Sequence, residues 1–126
     1  MFQIIESVCS DPIRFLADTK VELTPGLVVQ IVEINGTPHC TLSDGTRPFG
    51  IVDRMDKLGL VRVWFDTMIF RTDEFEQDEK YVGGNPLYVS SRGRLTTKKE
   101  MESSHLVGHV ISGPDSRRHY LELNWI

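Results

Sequence analysis

Residues 26–52 read GLVVQIVEINGTPHCTLSDGTRPFGIV, and residues 84–110 read GNPLYVSSRGRLTTKKEMESSHLVGHV. Each stretch opens on a glycine, runs through an apolar strand, a turn, a more polar strand and a loop, and closes on a glycine inside an apolar run. That run is Phe49-Gly50-Ile51-Val52 in the first copy and Val107-Gly108-His109-Val110 in the second, and Gly26 to Gly50 spans the same distance as Gly84 to Gly108. A further apolar strand follows each copy, Val61-Arg62-Val63-Trp64-Phe65 and Tyr120-Leu121-Glu122-Leu123. Few positions are identical; it is the layout that repeats. A layout repeated at this scale predicts a compact fold built from two similar halves.

Local signals within the copies are those of strands and tight turns. In Thr24-Pro25-Gly26 the proline sets φ and the glycine accepts a positive φ. Residues 27–34 are rich in β-branched side chains, and Asn35-Gly36 suits a type I′ hairpin, so 39–42 pairs back antiparallel. Ser43-Asp44-Gly45-Thr46 is a second turn. Gly50 marks either a bulge or a close approach by another backbone. Along 61–65, Val61, Val63 and Phe65 share one face and Arg62 and Trp64 the other, and Asp66-Thr67 is placed to interrupt the strand before Met68-Ile69-Phe70. The second half predicts strands at 86–89, 94–97, 106–112 and 120–126, with a turn at Arg92-Gly93 and a loop or single helical turn at 98–102. No long amphipathic helix is present. The fold class expected is all-β: a small β-barrel or β-tulip-like domain at 21–126, preceded by an extended arm and short strand at 1–20. A closed barrel and two packed sheets both fit this pattern. Trp125-Ile126 docks either in the core or at a subunit contact.

Size and composition fit one domain. The chain has 126 residues, 40% hydrophobic and 25% charged, and carries a formal charge of −4. No apolar run has the roughly 20 residues of a membrane helix, and Met1-Phe2-Gln3-Ile4-Ile5-Glu6 lacks the basic and apolar regions of a signal peptide. Cys9 and Cys40 are therefore expected to be reduced thiols. The negative balance disfavours non-specific nucleic-acid binding. Charge is also segregated along the chain: Asp73-Glu74-Phe75-Glu76-Gln77-Asp78-Glu79 is acidic, while Arg92, Arg94, Lys98, Lys99, Arg117 and Arg118 make the last third basic. These predict separate acidic and basic surfaces, either solvated or facing a neighbour.

A search for chemistry finds no catalytic pattern. His105 and His109 fall four apart around a strand, roughly 13 Å from each other, and His39 and Cys40 point to opposite faces. Neither arrangement supplies the four close ligands of a zinc site. There is no G-x-S-x-G elbow, no P-loop and no G-x-G-x-x-G, and the acidic stretch lacks the order of a calcium loop. Trp64 with Arg62, or Tyr120 with Arg117 and Arg118, offers an aromatic–basic platform of the kind nucleic-acid-binding barrels use; core packing competes as the explanation. The expectation is a protein without enzymatic activity, cofactor or metal.

The apolar strand with its Asn35-Gly36 hairpin, the stretches 43–52 and 84–89, and Gly93-Arg94-Leu95-Thr96-Thr97 followed by Leu106-Val107-Gly108-His109-Val110 resemble the head-decoration (cement) proteins of tailed bacteriophages. The resemblance covers residues 20–126. It implies a non-enzymatic β-rich protein made in the host cytoplasm and added to the outer capsid surface of the virion. There it would bind the major capsid protein across capsomer junctions, as a homotrimer or other small oligomer. The arm lies outside the resemblance and either packs on its own domain or reaches a partner; its Phe2, Ile4, Ile5 and Val8 are the candidates for capsid contact, by adding a strand to a sheet edge. Arg117, Arg118, Trp125 and the acidic residues Asp73, Glu74 and Glu76 are the candidates for subunit contact, closing head to tail around a ring. Alternatives are another virion part, such as a tail or neck adaptor, and an OB- or SH3-like nucleic-acid-binding module. Neither a membrane nor nucleic acid is an expected partner.

Overall fold

The computed structural model describes residues 1–8, 11–18 and 22–126. Its strands are β1 (Phe2–Ser7), β2 (Ile13–Ala17), β3 (Val28–Ile34), β4 (Thr37–Leu42), β5 (Gly50–Met55), β6 (Leu60–Trp64), β7 (Met68–Thr72), β8 (Pro86–Val89), β9 (Leu95–Thr96), β10 (Gly108–Ser112) and β11 (Leu121–Trp125). No helix occurs among the described residues. The strands form a closed five-stranded barrel, β2-β4-β3-β5-β6, and a six-stranded sheet, β1-β7-β11-β10-β8-β9.

The repeated layout is a repeated topology. In the first half β3 pairs with β4 and β5, β5 with β6, and β6 with β2. In the second half β8 pairs with β9 and β10, β10 with β11, and β11 with β7. The first half closes through a parallel contact of β2 on β4, at Leu16–His39 and Ala17–Cys40. The second makes the corresponding parallel contact at a single bridge, Phe75 to Leu95. The ladder irregularities also correspond: one lies between Val52 and Arg54 and the other between Val110 and Ser112.

Gly50 and Gly108 mark close backbone approaches, and the bulges fall a few residues beyond them. A Cβ on Gly50 would lie 2.4 Å from the Trp64 carbonyl oxygen, and one on Gly108 would lie 1.9 Å from that of Asn124. Asn35 and Gly36 both adopt positive φ (52° and 78°), as the expected hairpin turn requires.

Two cores share a wall. Val29, Cys40, Val52, Val61 and Val63 fill the barrel, closed by Leu23 and Leu27. Phe70, Leu87, Val89, Leu95, Val110, Leu121, Leu123 and Trp125 build the second core. Because successive strand residues face opposite sides, β3, β5 and β6 feed both: Val28, Ile51 and Trp64 pack on the second core while Val29, Val52 and Val63 fill the barrel. This is why Val28-Val29 and Ile51-Val52 are apolar doublets. A strand covered on both faces shows no apolar–polar alternation.

Candidate functional site

The N-terminal segment is part of both halves. β1 lies antiparallel on β7, with Ile5 as the extra residue in an irregular register, and β2 closes the barrel. Phe2 packs on Phe70 with ring centroids 5.1 Å apart, and Ile4 is also packed against the second core. Of the four arm candidates, these two are therefore committed to the chain's own interior. Ile5 and Val8 remain outside, 45% and 75% exposed. Val8 joins Glu6, Ser7, Thr67, Met68, Ile69 and Asn124 around a shallow groove at the end of the strand. β1 is an edge strand, so its outer side has no neighbouring strand among the described residues. Cys9 and residues 19–21 lie outside those residues.

The acidic loop does not form a separate surface. Glu74 holds the Arg94 Nε at 3.1 Å. Glu76 takes a two-point contact from Arg92, through Nη2 and through Nε at 3.2 Å, and accepts the Ser90 hydroxyl at 2.7 Å. The Arg92 guanidinium holds the Glu76 carboxyl below its usual range, against the opposing effect of burial. Glu79 accepts the Thr96 hydroxyl at 2.7 Å and the Thr97 backbone and hydroxyl at 2.8 Å. Asp73 meets the Met1 amino group at 2.5 Å. The predicted segregation fails here because the β8–β9 hairpin folds Arg92 and Arg94 back against carboxylates far away in sequence.

The other candidates for subunit contact are scattered. Trp125 is buried in the second core, which settles the sequence alternative in favour of the interior. Arg117 and Arg118 lie exposed on the β10–β11 loop, where the Asp115 carboxylate accepts both their backbone N–H groups, at 2.8 and 2.9 Å. Those bonds hold Asp115 below its ordinary range. The Arg118 guanidinium sits 5.8 Å from the Tyr120 ring centroid and that of Arg71 sits 5.1 Å away, so the ring is covered by cations. Trp64 is partly buried and packs on the second core.

One cluster escaped the sequence reading. Arg14 on β2 lies directly opposite Arg62 on β6, and Arg62 lies directly opposite Arg54 on β5. Residues directly opposite share a face, so three guanidinium side chains stand in a row across adjacent strands, spanning roughly 10 Å. Two carboxylates accompany them: Asp56 is 3.4 Å from Arg14, and Asp53, the bulge residue, is 4.0 Å from Arg62. The Arg62 Nε is buried without a hydrogen-bond acceptor, and the Trp64 Nε1 on the same face is too. Arg54 is exposed. Alternation in 61–65 placed Arg62 on the face opposite Val61, Val63 and Phe65, but the bulge that sets it against Arg54 and the distant pairing with Arg14 left no pattern in the sequence.

Among the described residues no group of three His, Cys, Asp or Glu side chains could hold a metal ion. Cys40 is a buried free thiol, pushed up to about 11 by burial. Comparison with protein-family models and with curated proteins finds no match.

Proposed function

We propose that this chain is a non-enzymatic virion protein of a tailed bacteriophage, which binds the outer capsid surface as a homotrimer and stabilises capsomer junctions. The observation that carries the reading is the edge strand β1. Its inner residues Phe2 and Ile4 anchor it to the protein's own core, while Ile5 and Val8 project beside an open sheet edge. Such an edge offers main-chain hydrogen bonds to an extended segment of another chain, with apolar side chains adding specificity. The rest of the molecule supports a load-resisting role. Two cores with a shared wall tie both halves of the chain into one packed body, suited to resisting deformation more than to gating a reaction.

The test is co-sedimentation with expanded capsids stripped of accessory proteins. The native chain should saturate the particles at a fixed ratio to the major capsid protein. Ile5→Asp combined with Val8→Asp should abolish binding without unfolding, because both side chains are exposed. No association of the native chain with capsids, or full occupancy by the double variant, would refute the proposal. Location at the tail or neck of purified particles would move the role to an adaptor.

A further inference from the structure

The duplication supplies an internal control for the arginine row. In the first half, the residue after the bulge (Arg54) pairs with Arg62, which pairs with Arg14 on the flanking strand. In the second half the residues at the corresponding places are Ser112, Glu122 and Arg71. There the central residue is a carboxylate, and Glu122 accepts a hydrogen bond from the Arg71 Nε at 2.9 Å. The same architectural row is thus charge-balanced in one half and built from three arginines in the other. Like charges directly opposite each other on a sheet are destabilising, and a buried donor left without an acceptor adds to that cost. The first half carries both burdens at one place.

From this we infer that the outer face of the barrel, at Arg14, Arg54 and Arg62, is a binding site for carboxylates presented by an acidic segment of a protein partner. Guanidinium forks match carboxylates in two-point geometry. Among the described residues Arg54 has no ion pair or hydrogen-bond partner, so it is free to make the first contact. Lys57 and Arg54 also line the adjoining groove at the β5–β6 hairpin, next to the exposed Met55 and Leu58. A polyanionic nucleic acid fits less well. Asp53 and Asp56 interrupt the row, the whole chain is negative at −4, and the partly buried Trp64 packs against the second core. On the reading proposed above, the acidic segment belongs to the capsid surface. The site itself does not depend on that reading.

The experiment titrates the full chain, at low and at moderate salt, with a fluorescent hexaglutamate peptide and separately with a short oligothymidylate. Hexaglutamate should bind, more weakly as salt rises. Arg54→Gln and Arg14→Gln should each weaken it about tenfold, while Arg117→Gln leaves it unchanged. Thermal unfolding checks that each variant is folded. Equal binding by Arg54→Gln and the native chain, or no binding of hexaglutamate, overturns the site. Tighter, Arg54-dependent binding of the oligothymidylate overturns the carboxylate partner in favour of nucleic acid. Hexaglutamate binding that depends on Arg54, in a protein that fails to associate with capsids, keeps the site and removes the capsid as its partner.

Discussion

Replacing Gly108 by alanine should destabilise this protein by about 2–3 kcal/mol, although the same change usually helps. At a compatible position, glycine to alanine adds roughly 0.4–1 kcal/mol by restricting the unfolded chain. At Gly108 the new Cβ would lie 1.9 Å from the Asn124 carbonyl oxygen, where real contacts essentially never fall under 3.0 Å. The neighbouring strand must therefore retreat by about 1.1 Å, the difference between those distances. It has little freedom to do so: β11 is paired on one side with β10 and on the other with β7, and Trp125 beside the contact is 3% exposed. Overpacking of this kind costs typically 1–3 kcal/mol and occasionally more, which reverses the sign of the entropic gain. Gly50→Ala should cost less, about 1–2 kcal/mol, because its closest contact, the Trp64 carbonyl at 2.4 Å, requires a smaller shift. Urea unfolding followed by tryptophan fluorescence measures both, and the Gly108 variant should lose roughly 8–12 °C in melting temperature. If Gly108→Ala is as stable as the parent within about 0.5 kcal/mol, close approach is not what the repeated glycine is for.

Three other outcomes follow from particular contacts. Phe2→Ala should cost about 2 kcal/mol in equilibrium unfolding, because the half-buried ring packs on Phe70; a freely extended arm would show no change. Glu76 has a depressed folded pKa, set chiefly by Arg92, so its stabilisation is present above the unfolded carboxylate pKa and disappears as pH falls through the folded value. Melting temperature measured against pH should accordingly fall less steeply on the acid side in Glu76→Gln than in the parent, by a small margin because the Arg92 partner is exposed to solvent, and parallel curves would contradict the assignment. In a Cys9→Ser background, Cys40 should resist a thiol reagent at pH 8 and react only on unfolding, since burial holds its thiol up at about 11. Labelling at the rate of a free thiol would show that the barrel opens.

The strands read most accurately from sequence were those with strong turn chemistry at their ends. Asn35-Gly36, Thr24-Pro25-Gly26 and the prolines near Phe49 and Leu87 are punctuation that acts over two or three residues, and the structure places strand ends there. The segment 1–20 was harder. Its apolar residues show no clean period because Phe2 and Ile4 face one core, Phe15 and Ala17 face another, and Ile5 is displaced by a register irregularity. Among the candidate contacts, Ile5 and Val8 are exposed, whereas Trp125 is interior and Glu74 and Glu76 are matched within the chain. Burial of a terminal tryptophan depends on which strands flank it, and that is not written near residue 125.

By itself, then, the sequence determined that this chain is all-β and made of two similar halves, because strand period, turn chemistry and the spacing of Gly50 and Gly108 are local or simply periodic. Only the tertiary structure decided that one half closes as a barrel, that the N-terminal segment joins both halves, and that β3, β5 and β6 serve two cores. It also decided that Arg14, Arg54 and Arg62 meet. Cross-strand register joins Arg62 to Arg14, far away in sequence, and a single bulge at Asp53 is enough to choose that Arg54 stands opposite Arg62.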